Sequence, residues 1–114
     1  MSDCIFCKIV KGEIPAKKVY EDADMLAFHD ISPVSPVHCL VIPKKHIESL
    51  FQLEAEDVSL AGRMLNKAQE LAKELGCGET GARFVVNAGK DGGQSEYHLH
   101  IHVLGGRRHI WPPG

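Results

Sequence analysis

A chain of 114 residues with 44% hydrophobic and 25% charged residues fits one compact domain, whose folding takes roughly two thirds of its surface out of water. That composition excludes collagen-like and disordered classes, and a formal charge of −2 argues against nucleic acid as a general partner. Residues 1–4 lack the basic and apolar pattern of a leader, and the longest aliphatic run, residues 39–42, is too short for a membrane span, so a cytoplasmic address is expected.

In chain order, Asp3 is a candidate N-cap for a short helix over residues 4–10, which Gly12 and Pro15 stop. Residues 19–20 and 25–28 are β-prone and are joined by the polar residues 21–24, which predicts a hairpin. Residues 31–36, with their prolines and serines, form a loop, and residues 38–42 make a third strand closed by Pro43. Over residues 54–75 the positions Val58, Ala61, Met64, Leu65, Ala68, Leu71, Ala72 and Leu75 recur at helical steps, predicting one long helix with these residues on its buried face. Gly76 ends it. Residues 83–87 are a further strand, residues 89–94 a glycine-bearing loop, and residues 98–104 a last strand broken by Gly105 and Gly106. The tail, residues 108–114, is extended. The expected fold is a single α+β domain over residues 1–114, an antiparallel sheet of about five strands carrying the long helix on one face, with a short N-terminal helix.

The chemistry concentrates in Tyr97-His98-Leu99-His100-Ile101-His102-Val103-Leu104. On a strand, residues two apart share a face and lie about 6.6 Å from one another along the chain, so the three imidazoles point one way and Leu99, Ile101 and Val103 the other. One histidine on a sheet face is ordinary; three in strict alternation ask for chemistry. A neutral imidazole is a nucleophile near pH 7 when its second nitrogen donates to a carbonyl that fixes the tautomer. The preceding Gly92-Gly93-Gln94-Ser95 can present backbone N–H groups to a phosphate, although alone it would read equally as a turn. Ser95 and Asn87 add side-chain donors. A P-loop is excluded, because it would need a glycine where Phe84 stands. Cys4 and Cys7 have the spacing of a metal clip or redox pair, while Cys39 and Cys77 stand alone, so no disulfide framework is expected.

These residues make the chain similar to the histidine triad (HIT) family, whose signature alternates histidine with aliphatic residues, and in particular to its Hint branch of nucleoside phosphoramidate hydrolases. Besides the triad, the resemblance includes Phe28-His29-Asp30-Ile31-Ser32-Pro33, the stretch from Val37 to Ile47, Val86-Asn87, Asp91-Gly92-Gly93-Gln94-Ser95 and Trp111-Pro112-Pro113-Gly114. It implies that His100 is the nucleophile, with His102 and Ser95 assisting at the phosphate and leaving group and His38 supporting the triad through a hydrogen bond. It further implies that Asp30 and Ile31 hold ribose and base, that Phe28 and His29 line the nucleoside side, and that Asn87, Gly93 and Gln94 complete the phosphate pocket. The implied substrates are purine nucleoside phosphoramidates and acyl-adenylates, released as AMP or GMP with no metal in the reaction. The implied assembly is a homodimer through joined sheets, with the tail reaching the partner's site. Glu96 stands where many relatives carry an aliphatic residue, beside the leaving group. A structural zinc on Cys4, Cys7, His46 and His98 is implied by some relatives, whereas animal Hint proteins lack these cysteines. Two further readings compete: a catalytic metal on His98, His100 and His102, and a nucleotide-binding regulator with little turnover. The first strains geometry, because three same-face strand positions span about 13 Å.

Overall fold

The computed structural model describes residues 3–114, and so says nothing of the leader reading at Met1 and Ser2. It orders the chain as α1 (Ile5–Val10), β1 (Lys18–Glu21), β2 (Met25–His29), β3 (Val37–Pro43), α2 (Val58–Glu74), β4 (Ala82–Val85) and β5 (Ile101–Gly105). Two 3-10 turns, Leu50–Gln52 and Ala55–Asp57, precede α2. The strands form one antiparallel sheet in the order β1-β2-β3-β5-β4, giving the expected α+β fold. No helix among the described residues is long and apolar enough to cross a membrane.

The β1–β2 hairpin closes because the Asp22 carboxylate accepts from the backbone N–H groups of Asp24 (2.8 Å) and Met25 (2.9 Å). β3, central in the sheet, is apolar almost throughout because both of its faces are covered. On one side, Ala27, Cys39, Val41, Ile101 and Val103 pack with Met64, Ala68, Leu71 and Ala72 of α2. On the other, Leu26, Phe28, Leu40 and Ile42 pack with Phe6 and Ile9 of α1. A second helix therefore roofs the face opposite α2.

Four details depart from the sequence expectation. Cys4, not Asp3, caps α1: its sulfur accepts from the Cys7 N–H (3.2 Å). α2 starts at Val58, because a reciprocal capping box between Glu54 and Asp57 holds the preceding turn. Val58 and Leu65, placed by periodicity on the buried face, are 64% and 56% exposed. The last strand begins at Ile101 rather than His98. The register that pairs Val41 with Ile101 brings Pro43 opposite Leu99, and a proline has no N–H to continue the ladder. Leu99 donates instead to the Ile47 carbonyl (2.7 Å).

Candidate active site

Although His98 and His100 precede the regular ladder, the alternation of side chains persists. Leu99, Ile101 and Val103 enter the α2 core, while the imidazoles lie on the α1 face, where the Phe6 ring stands edge-on to His98 and His100. That face is not open to solvent: His98 is 0% and His100 4% exposed. His102 shares a cross-sheet row with Phe28, Leu40 and Val85.

The hydrogen-bond network assigns a tautomer to each ring. His98 donates from Nε2 to the Pro43 carbonyl (2.8 Å), leaving a lone pair on Nδ1. His100 donates from Nδ1 to the His98 carbonyl (2.7 Å), leaving a lone pair on Nε2. For His102 the assignment runs through its neighbour. The Val34 N–H donates to His38 Nδ1 (3.1 Å), so the His38 proton sits on Nε2 and is donated to His102 Nδ1 (2.9 Å). His102 therefore carries its own proton on Nε2, 4.9 Å separating its ring centroid from that of His100. Asp30 stands 3.4 Å from His38 Nε2. Burial first, then the neighbouring His100 and His38, push the His102 pKa down to about 4, so the ring is a neutral donor at pH 7. Burial likewise lowers His38 against the pull of Asp30.

The glycine loop lies ahead of the triad, with Gly89 and Gly93 at φ of 76° and 77°. A side chain at Gly92 would overlap the Ala88 backbone, so this glycine is needed for packing as well as for any anion. Gln94, expected as a pocket residue, has its side chain turned inward. Its amide donates to the carbonyls of Glu48 (2.7 Å) and Glu96 (3.0 Å), and its oxygen accepts from the Gly89 N–H (3.0 Å). That side chain pins the loop and has no capacity left for a phosphate. The Asn87 amide donates to the Gly92 carbonyl (2.7 Å), and Ser95 is exposed at the loop's end.

Phe28, expected to line the nucleoside side, is instead buried beneath Phe6, their centroids 5.6 Å apart, and does not line the neighbouring cleft. His29, Asp30 and Ile31 line a cleft of about 730 Å³ together with Pro15, Ala16 and Lys17, three residues that the sequence reading missed. Ile31 is almost wholly exposed. Phe6 and the Val34 N–H were missed as well. Phe6 stands between the two cysteines on a helix too short to show a period, and a backbone donor leaves no residue-type signal.

Cys4, Cys7, His46 and His98 converge, their ligand atoms all within 4.8 Å of one another. A tetrahedral zinc with bonds of about 2.3 Å to sulfur and about 2.0 Å to nitrogen has edges of about 3.3 Å (N to N) and about 3.5 Å (N to S). The observed edges are 3.2 Å between His46 and His98, 3.3 Å for Cys4–His98 and Cys7–His46, and 3.6 Å for Cys7–His98. The donor set fits the ion, and the Pro43 contact turns the unprotonated nitrogen of His98 inward. Without a cation, burial and then the Cys4 contact hold the Cys7 thiol above its usual range. Asp30, His38 and His102 also converge, but the 2.9 Å contact there is a direct hydrogen bond and the proton on His38 Nε2 occupies the donor position, so this group is a proton-bonded relay. Neither cluster contains all three triad rings, which removes the geometric basis for a catalytic ion on His98, His100 and His102 among the described residues. Glu96, expected beside the leaving group, lines a cleft of about 200 Å³ with Asp3, Glu48 and Tyr97 at the open side of the cysteine cluster.

The comparisons with known proteins agree with this geometry. A family model of the HIT domain matches residues 11–109. An HIT-like protein of Synechocystis sp. is 51% identical over 112 residues, covering 98% of this chain and 97% of that protein. Protein HitA of Neisseria gonorrhoeae is 49% identical over 105 residues, 92% and 97% of the two chains. The solved structure of a HIT family hydrolase from Legionella pneumophila superposes with a TM-score of 0.95 at 49% identity, covering 98% of this chain and 100% of that one.

Proposed function

This chain belongs to the HIT domain family, and on that premise we propose that it is a hydrolase of purine nucleoside 5′-phosphoramidates and acyl-adenylates, working through a nucleotide carried on His100. The observation that carries the reading is the opposed pair of tautomers: a lone pair on His100 Nε2 beside a proton on His102 Nε2. Attack by His100 forms the P–N bond to the ring and breaks the bond to the leaving amine or carboxylate. The phosphorylated ring is cationic, and its Nδ1–H is held by the His98 carbonyl. A departing amine takes its proton from water relayed through the exposed Ser95 hydroxyl; water then displaces the nucleotide from His100, releasing AMP or GMP and one proton.

In this scheme His102 donates to a phosphoryl oxygen and keeps its proton. A neutral ring with a pKa near 4 cannot act as a strong acid at pH 7, yet as a positioned donor it contributes on the order of 3 kcal/mol to the transition state. The Asn87 amide takes the same phosphate with its second N–H, while the Gly93 and Gln94 N–H groups are spent on the Lys90 and Gly89 carbonyls and shape the loop. Asp30 and Ile31 take the ribose and base in the cleft beside β2.

We assign a structural zinc to Cys4, Cys7, His46 and His98. All of its positions would be filled by protein, so it ties α1 to the triad and takes no part in the chemistry. Thiols kept as ligands suit a reducing compartment, which supports a cytoplasmic address. We also propose a homodimer: β4 is an open edge, its Phe84 is exposed and lines a cleft of about 330 Å³ with Leu65, and Val58 and Leu65, exposed as well, line an apolar cleft of about 370 Å³. In that assembly Ile110 and Trp111 of the exposed tail reach the partner's site.

Adenosine 5′-phosphoramidate tests the reading. The zinc-loaded protein is expected to release AMP at a rate unchanged by brief treatment with chelator, and His100→Ala to lose at least about 10³-fold in kcat. Full activity in that variant would refute the assignment.

A further inference from the structure

Three of the chain's four arginines line a single cleft of about 540 Å³ whose walls include none of the three triad histidines. Its walls are Thr80, Gly81 and Arg83 at the start of β4, and Gly106, Arg107, Arg108 and His109 where the tail leaves β5. No acidic residue lines it, and among the described residues none of Arg83, Arg107 and Arg108 pairs with a carboxylate. In a protein whose formal charge is −2, that is a local excess of positive charge left uncompensated.

The cleft is held in shape by contacts that do not use up its charge. Arg83 donates to the Ile110 carbonyl (2.7 Å), Arg107 to the Val34 carbonyl (3.3 Å), and His109 Nε2 meets the Ser35 hydroxyl at 3.1 Å. Every one of these partners is neutral. The Arg108 guanidinium makes no hydrogen bond among the described residues. Gly106, at φ of 85° and with Pro36 where a side chain would go, sets the turn that brings the two tail arginines over β4. Burial, then Arg107 and Arg83, lower the His109 pKa, as expected for an imidazole placed in a positive field.

The cleft also has a defined relation to the triad. Arg83 pairs with Leu104, and Leu104 pairs with His38 on its other side, so this row lies on the triad face, one step along from the row of His102 and Val85. Diagonal neighbours of this kind have backbones about 7–8 Å apart, within the reach of an arginine. The nucleoside cleft lies at β2, on the opposite side of the sheet order, so the arginine cleft flanks the triad on the side that the nucleoside leaves free for the departing half of a substrate.

We propose that Arg83, Arg107 and Arg108 form an oxyanion subsite for a phosphate or carboxylate carried by the leaving group, so that the preferred substrates are those whose departing half is itself anionic. The inference rests on the reading of the site as a nucleotide hydrolase and names its substrate class. Guanidinium groups already oriented by neutral carbonyls suit such a group, because they present paired donors to planar or tetrahedral oxyanions.

The test uses three adenosine 5′-phosphoramidates, of ethylamine, of β-alanine and of 2-aminoethyl phosphate, with the full chain. At least one anionic substrate is expected to exceed the ethylamine compound in kcat/KM by about tenfold, and the carboxylate and phosphate arms show which oxyanion is preferred. Arg108→Gln, and separately Arg107→Gln, should remove most of that preference while changing the ethylamine substrate less than about twofold. Equal kcat/KM for all three in the unmodified protein, or proportional losses on all three in the variants, would overturn the proposal. If none is hydrolysed, the hydrolase reading fails, and equilibrium binding of the same compounds still decides the subsite. Tighter binding of an anionic compound that disappears in Arg108→Gln supports it; equal binding refutes it.

Discussion

At His102 the cost of desolvating a charge outweighs everything that would favour protonation, and two measurable consequences follow from the pKa near 4. Activity should show no loss from protonation of this ring between pH 8 and pH 5, since its Nε2–H donor is present throughout. Stability should behave differently. The unfolded chain takes up a proton at about 6.5, whereas the folded ring does not until about 4, so its contribution is complete above pH 6.5 and is lost as the pH falls toward 4. Urea melts at pH 7, 5.5 and 4.5 should show this decline, and His102→Gln should flatten it; an unchanged slope would mean that the ring is charged in the folded state. His102→Ala should cost about 10²-fold to 10³-fold in kcat at pH 7, through the loss of one donor.

The alternation of histidine with Leu99, Ile101 and Val103 survives even where the ladder does not, because the apolar residues are drawn to α2 whichever carbonyl their N–H groups find. That is why the triad face can be read from residue types alone, while the start of β5 cannot: it depends on Pro43, which lies on another strand. The helical period over residues 58–75 likewise predicts α2 but not which edge of its apolar stripe meets the sheet, so Val58 and Leu65 are left exposed. The roof made by α1 has no sequence signature. It is a short helix held by Phe6, by Ile9 and by the cysteine cluster, and only the fold brings these over His98 and His100. Phe6→Ala should therefore lower stability by about 3 kcal/mol and leave His100 open to water. Chemical denaturation together with the rate of His100 modification by diethyl pyrocarbonate measures both effects. A variant as stable as the parent, with an equally protected His100, would show that α1 is not the roof.

The whole molecule joins three separable structures: the converging Cys4, Cys7, His46 and His98 side chains, the proton-set pair His100 and His102, and an open sheet edge with exposed apolar residues. Metal analysis of untagged protein should give about one zinc per chain, and its removal should lower the melting temperature as α1 loses its anchor. Less than about a tenth of an equivalent would refute the assignment. Light scattering should give twice the 12.5 kDa chain mass, and Leu65→Lys should shift the population to single chains by placing a charge on the exposed patch. The claim on which the rest depends is that His100 itself carries the nucleotide. A rapid-quench single turnover with adenosine 5′-phosphoramidate, followed by mass spectrometry of the peptide bearing the triad, measures it directly. An adenylyl group on His100 should appear before AMP and decay as AMP accumulates. AMP formed with no adduct at any time, or an adduct on His98 or His102, would contradict it.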